Sequence, residues 1–276
     1  MKTIVFQILA GATAALGLRA GVTFKNTSLR RVALTLLAVC WLPVQAIGGT
    51  WTPLAHTPPS SSGGLMLLLT DGTVMVKSAA GGGDGIGNIW YKLTPDSAGS
   101  YVNGTWTTLA PMADTRLYFS SQVLKDGRVF VAGGEYGTGG AKGETYNPLT
   151  NTWTSAPTQG STISDANSEL LPDGRVLVAL VTGSLRSTII FDPSTNTWTA
   201  GPTANGIHNE SAWVKLPDGS SLMVDRLSTN SERYIPSLNQ WVVDATVSVA
   251  LYDAFGDETG PWCRMECSRP CCSASR

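Results

Sequence analysis

Chemistry at a protein surface needs groups that move protons, hold ions or attack carbon. This chain of 276 residues has few of them, with two histidines and only 14% charged residues. Position singles out five polar side chains. Four Asp-Gly pairs, Asp71-Gly72, Asp126-Gly127, Asp173-Gly174 and Asp218-Gly219, recur along the chain. Ten residues before each Asp stand Ser61, Arg116, Ile163 and His208, and eight before stand Gly63, Tyr118, Asp165 and Glu210. Positions two apart on a strand share a face, so Arg116, Tyr118, Asp165, His208 and Glu210 are expected to converge as a polar ring able to take a ligand. His208 with Glu210 has the chemistry of an acid-base pair. The same five residues equally suit a structural role, pairing with one another around water. His56, ahead of Pro58-Pro59, reads as an exposed loop residue.

The cysteines are a second candidate. Four of the five, Cys263, Cys267, Cys271 and Cys272, fall in the last 14 residues. Zinc sites favour pairs spaced by two to four residues, with a second pair on a folded knuckle, and this spacing is a poor match. Codons for Trp262 to Glu266, read two bases later, can encode Val-Pro-Asp-Gly given common choices for Cys263 and Arg264, which is the hairpin turn due at this point. Residues 263–276 are therefore expected to be an aberrant, frameshifted tail, and no metal, cofactor or catalytic constellation is assigned.

The elements that must position these side chains come from a repeat. Trp51, Trp106, Trp153, Trp198 and Trp241 recur at intervals of 55, 47, 45 and 43 residues, and each of the first four precedes an Asp-Gly pair by 20 residues. Each Asp-Gly lies between apolar runs, a hairpin signal because Gly accepts the positive φ of a tight turn. Accordingly Asp71, Gly72, Asp126, Gly127, Asp173, Gly174, Asp218 and Gly219 are read as structural turn residues. A third strand ends at Tyr146-Asn-Pro148, Phe191-Asp-Pro193 or Tyr234-Ile-Pro236, and the Trp five residues past the proline opens a fourth strand. The content of one unit is four strands, and the expected class is all-β.

Periods of this size belong to propeller blades. Val129-Phe-Val-Ala-Gly133-Gly134, followed by Tyr146 and Trp153, resembles the kelch repeat, and Gly81-Gly-Gly83 follows the matching strand one unit earlier. Units three and four depart from the pattern, with Ala179-Leu180 and Asp225-Arg226 in place of the glycine pair. From these residues the chain resembles the bacterial secreted kelch-repeat proteins, whose blades are similar to those of the galactose oxidase central domain. The resemblance implies a kelch-type β-propeller over residues 47–262, incomplete, with four full four-stranded blades and a truncated fifth. An open ring leaves an apolar sheet face uncovered at each end, so self-association is expected. Kelch propellers serve as binding platforms and as enzymes. The first reading is a binding or scaffold module for a protein or carbohydrate. The alternative is the remnant of a galactose-oxidase-like copper-radical oxidase, whose two His, two Tyr and cross-linked Cys have no counterpart set here, since Cys40 is the only cysteine outside the tail.

The N-terminal 46 residues bear on location. Arg30 and Arg31 precede the apolar run Val32–Val44, and Val44-Gln-Ala46 supplies a cleavage site, as in a secretory signal peptide. A second apolar stretch, Ile4 to Leu18, lies upstream, so residues 1–46 are a signal peptide or, uncleaved, a hydrophobic anchor through residues 4–46. Export is expected, to a secreted, periplasmic or membrane-anchored extracytoplasmic location. Lys plus Arg at 19 against Asp plus Glu at 20 gives a net charge of −1, which argues against nucleic acid as a partner.

Overall fold

The structure, a computed structural model, describes residues 51–60, 63–80, 85–165, 167–180, 184–208, 211, 213–225 and 228–249. The segment 1–46, the cysteine-bearing tail and Glu210 lie outside the described residues. Every named element among the described residues is a strand. The first sheet is β1 (Gly63–Leu68), β2 (Val74–Ser78), β3 (Trp90–Thr94) and β4 (Thr105–Thr108). The second sheet is β6 (Ser120–Val123), β7 (Val129–Ala132), β9 (Gly143–Asn147) and β10 (Thr152–Ser155), with a short ribbon of β5 (Arg116–Leu117) and β8 (Tyr136–Gly137) beside it. The third is β11 (Ser168–Leu170), β12 (Val176–Ala179), β13 (Thr188–Asp192) and β14 (Thr197–Ala200). The fourth is β15 (Trp213–Lys215), β16 (Ser221–Val224), β17 (Ser231–Ile235) and β18 (Gln240–Val243). All pairings are antiparallel and, apart from β7 with β9 and β5 with β8, join chain neighbours; the first strands touch in turn, β6 against β11 and β11 against β15. This is an all-β fold of blade-type sheets in a propeller-like arrangement.

The tryptophan repeat and the sheets are offset. Trp106, Trp153, Trp198 and Trp241 sit on the last strands of the four sheets, so Trp241 completes the fourth sheet. Trp51 lies outside any strand and is fully exposed. Register explains the spacing of seven between the repeated aromatic and its Trp. Tyr146, Phe191 and Tyr234 are the cross-strand partners of Trp153, Trp198 and Trp241. Their ring centroids lie 5.1, 5.0 and 5.4 Å apart, contact that adds to the stability of each outer strand pair.

Each Asp-Gly makes the first hairpin turn of its sheet. In the first, Gly72 N donates to Leu69 O at 3.0 Å and Leu69 N to Thr73 O at 2.8 Å, a three-residue loop in which only the glycine is left-handed, at φ 81°. The other three turns repeat these bonds, with Gly127, Gly174 and Gly219 at φ 86°, 95° and 83°. The aspartate has its own task. Its Oδ1 accepts the amide two residues on, at 2.9 Å from Thr73, 3.1 Å from Arg128, 3.0 Å from Arg175 and 2.9 Å from Ser220. The turn between third and fourth strands uses asparagine in the same way glycine is used here. Asn151, Asn196 and Asn239 take φ of 52°, 56° and 49°, a region asparagine tolerates. Tyr146 and Tyr234 each donate a phenol hydrogen bond to the Asn Oδ1 of that turn, at 2.9 and 3.0 Å.

The core lies between sheets. Along β7, Val129 and Val131 pack toward the first sheet with Met75 and Trp90, while Phe130 and Ala132 pack toward the third with Val176, Val178 and Phe191. Leu177 and Ile190 of the third sheet then meet Met223, Tyr234 and Trp241 of the fourth. Phe130 and Phe191 stack at 4.7 Å and 19°. A middle strand covered on both faces needs an unbroken apolar run, and Val-Phe-Val-Ala and Val-Leu-Val-Ala are such runs.

The Gly133-Gly134 pair marks where the second sheet meets the segment leading into the third. Gly133 takes φ 77°, and a Cβ there would lie 2.9 Å from the backbone carbonyl of Ile163. Gly72 takes a similar φ in open space, with nothing within 4 Å of an added Cβ. Gly72→Ala is expected to cost the left-handed penalty alone, about 1–2 kcal/mol. Gly133→Ala adds a collision with backbone and is expected to cost distinctly more. Urea denaturation of both variants tests the order, and equal losses would refute the close-packing account.

Candidate functional site

Of the five expected ring residues, the four that are described divide between the interior and the surface. Arg116 and His208 have no exposed surface, Tyr118 is 55% exposed and Asp165 is half-buried. A continuous strand would have put Arg116 and Tyr118 on one face, and this expectation is corrected by a break. Strand β5 ends at Leu117, Tyr118 turns left-handed at φ 50°, and β6 begins only at Ser120. Arg116 therefore points inward and Tyr118 outward. In the other sheets the equivalent positions, Ile163 and His208, lie ahead of the first strand, in the segment that enters the sheet.

Inside, two glutamates organise these entering segments. Glu144, on β9, accepts the amides of Ala113 at 2.7 Å and Asp114 at 3.2 Å and the Arg116 guanidinium at 2.9 Å. Glu232, on β17, accepts the amides of Asn205 at 2.9 Å and Gly206 at 2.7 Å and His208 Nε2 at 2.9 Å. Both clamps take two consecutive amides and then the side chain two residues on. Arg116 also donates through Nη1 to the carbonyls of Gly133 and Lys142, tying the glycine pair to the clamp. The third sheet has Ile163 and Ile189 at these two positions, both in its apolar core. Polar pairs with polar and apolar with apolar, so the position is structural in all three sheets. Glu232 carries opposing influences. Burial raises its pKa, the His208 hydrogen bond and the two amides lower it, and the carboxyl ends below its ordinary value. His208 is further enclosed by Trp241 and Trp213, with ring centroids at 4.3 and 5.3 Å.

Outside, the break at Tyr118 builds an exposed corner at the end of the second sheet opposite its Asp126-Gly127 turn. Leu117 pairs with Tyr136, and Glu135 N donates to Tyr118 O at 3.3 Å, which anchors the left-handed turn. The Tyr118 and Tyr136 rings lie 6.2 Å apart at 66°, with Tyr136 47% exposed. The Tyr136 phenol donates to the Glu135 carboxylate, and that bond, the Glu135 charge, burial and then the charge of Asp165 raise its pKa. Gly134 N donates to Ser164 O at 3.2 Å, which brings Asp165 to this corner. Left-handed backbone at a bulky residue is uncommon and concentrates where function holds it.

Sequence counting missed Tyr136, Glu135, Glu144 and Glu232. They stand at no fixed offset from the Asp-Gly pairs, and a repeat that alternates its chemistry hides the two glutamates. Lys77 was also missed. It is buried, donates to the carbonyls of Ser78 at 3.0 Å and Gly85 at 2.8 Å, and burial lowers its pKa. At the Asp-Gly end, clefts of about 470 and 310 Å³ lie between the second and third and between the third and fourth sheets. Their Asp126–Arg128 and Asp173–Arg175 pairs, at 2.8 and 2.7 Å, belong to the turns themselves. His56 lies at the surface, with Nδ1 2.8 Å from Gly104 O. Among the described residues no group of three or more His, Cys, Asp or Glu is placed to hold a metal ion.

No protein-family model matches the chain, and no curated protein matches it. Among solved structures it is similar to YjhT, at 18% identity and a TM-score of 0.50, over 72% of this chain and 67% of that one. At that identity the likeness concerns the fold alone.

Two outcomes follow from the clamps. Arg116→Ile leaves Glu144 charged and buried without its cation, and is expected to cost about 3–5 kcal/mol. Adding Glu144→Ile reproduces the third sheet's pair, so the double variant is expected to lose less than the sum of the two single variants. Additive losses in a denaturation cycle would refute the equivalence of the positions. The second outcome concerns acid. A carboxyl depressed in the folded state stabilises the fold above the ordinary glutamate value of about 4.3, and the effect fades as pH falls through the lower folded value. Glu232→Gln should flatten the fall of melting temperature on that acid limb, and an unchanged limb would show that another group governs it.

Proposed function

We propose that the chain is an exported kelch-type propeller protein that binds a protein or carbohydrate ligand without transforming it. The kelch assignment is supported by Gly133-Gly134, by the aromatic and Trp cross-strand partners of each outer pair, and by the four blade-type sheets. Export is supported by the Arg30-Arg31, apolar-run and Val44-x-Ala46 pattern. The binding site is the corner of Tyr118 and Tyr136 with Glu135 and Asp165. One observation carries this: a tyrosine is held left-handed at φ 50° with its ring more than half exposed against a second exposed tyrosine. Burying these rings inward would serve stability better, so their presentation to solvent argues for a partner. The buried state of His208 and Glu232 favours binding over acid-base catalysis, because a substrate needs contact with the groups that move its protons.

Paired arrays of immobilised oligosaccharides and peptides, probed with the full chain and with Tyr118→Ala/Tyr136→Ala, test the reading. Expected is at least one class of ligand bound by the wild type and lost by at least tenfold in the double variant, while Leu149→Ser, at an exposed turn far from the corner in sequence, binds normally. Equal binding by the double variant, or conversion of a bound ligand into product, would overturn it.

A further inference from the structure

Resting on that site, we infer that the corner takes an organic cation, with an arginine side chain of a peptide partner as its best occupant. The two rings stand edge to face at 66° with centroids 6.2 Å apart, and both residues are open to solvent. Aromatic faces carry negative quadrupole potential and attract cations lying over them. The potential is strengthened by the carboxylates of Glu135, which is exposed and next to Tyr136 in the chain, and of Asp165, both of whose charges act on the Tyr136 phenol.

The cations close by do not cancel this field. Arg116 lies beneath, fully buried, with its guanidinium on Glu144 at 2.9 Å. Lys142 holds Asp114 at 2.7 Å. Both positive charges are therefore spent on carboxylates other than those of the corner. A neutral sugar would stack on a tyrosine but would draw nothing from the charge. An ammonium would be drawn to the ring faces and the field but has no planar fork to stack flat and grip a carboxylate at once. A guanidinium uses both, since it stacks on an aromatic face while its fork of N–H groups donates to a carboxylate. Glu135 supplies that carboxylate.

The backbone explains why the corner persists without an occupant. Tyr118 is fixed by the Glu135 N–H to its carbonyl and by β5–β8 pairing, so the rings are positioned before binding. Preorganised rings lose little side-chain freedom on binding.

The experiment uses the full chain with its tyrosines isotopically labelled, and follows Tyr118 and Tyr136 ring resonances during titration. The probes are Nα-acetyl-arginine amide, its neutral counterpart Nα-acetyl-citrulline amide, and tetramethylammonium. Expected is saturable binding of the arginine probe, at least fivefold weaker binding of the citrulline probe, and intermediate binding of tetramethylammonium. Glu135→Gln is expected to weaken the arginine probe at least fivefold and to leave the citrulline probe unchanged, and Tyr118→Ala to weaken both cations. Unchanged melting temperatures of these surface variants, compared with wild type, separate lost binding from lost folding. Citrulline bound as tightly as arginine would overturn the inference. If instead an uncharged oligosaccharide from the arrays binds and is lost in Tyr118→Ala/Tyr136→Ala, the cation inference falls and the proposed binding site stands. If neither these probes nor the arrays register at the two rings, both fall.

Discussion

The fold depends on a constraint at its middle strands: β7 and β12 have no solvent face. Each side chain of Val129–Ala132 and Val176–Ala179 is buried, alternately toward the preceding and the following sheet. A four-stranded sheet with two apolar faces cannot be covered by itself, so each sheet is a ligand for its neighbours. Burial of apolar area is worth about 25 cal/mol per Å², and in a stack of this kind most of it sits at the interfaces between repeats. The repeated Trp completes the same economy at the periphery. Trp153 and Trp198 lay their rings on a cross-strand aromatic and donate their indole N–H to Ala110 and Pro157, at 2.8 and 2.9 Å. Those carbonyls lie in the segments entering the same sheets, so the last strand of a sheet fastens the chain that leads to its first.

From this constraint follows the need for the glutamate clamps. The segments entering the second and fourth sheets carry backbone amides into ground that the sheet ladders do not reach, and a buried amide without a partner is costly. Glu144 and Glu232 answer two amides each; Arg116 then balances the charge of Glu144, and the His208 ring bonds to Glu232 through Nε2. The Arg116–Glu144 pair is strong only as a pair, because either member alone would be a buried charge without compensation. The third sheet shows that the position tolerates another solution, apolar at both ends, with Ile163 and Ile189.

Much of this was legible in the residues. Asp-Gly at fixed distance from Trp gave the hairpins, because turn chemistry is local and a left-handed position selects glycine. The aromatic before proline and the Trp seven residues later gave the outer strand pair, because antiparallel register turns a sequence interval into a contact. Their place in the sheets followed too, since Trp153, Trp198 and Trp241 stand on the last strand of a four-stranded sheet as the turn at the proline implies. The site was legible only in part. Tyr118 and Asp165 stand at its corner, but they were reached through a face-sharing argument that the backbone does not obey. Tyr136 and Glu135 were invisible to it, since β8 belongs to an excursion between β7 and β9 that the other sheets do not share among the described residues. Glu144 and Glu232 escaped because the partners of a clamp are 28 and 24 residues apart, and because the third unit has Ile189 at their repeated place two residues before the aromatic.

The break at Tyr118 links the two halves of the molecule's logic. Were β5 and β6 one strand, Arg116 and Tyr118 would share a face by the period of two. Either the arginine would be carried to the surface and Glu144 left without its cation, or the tyrosine would be forced inward against the glycine pair. Reversing the sign of φ at Tyr118 avoids both. It is compatible with the ladder because the opposing chain breaks at the same level, where Gly133 and Gly134 take φ of 77° and 124°. The glycine pair is thus matched to the tyrosine across the hairpin. Arg116 locks the match by donating to the Gly133 carbonyl from beneath. A buried ion pair and an exposed aromatic corner are consequently two sides of one kink. The stability of the clamp holds the strained turn, and the strained turn holds the rings outward.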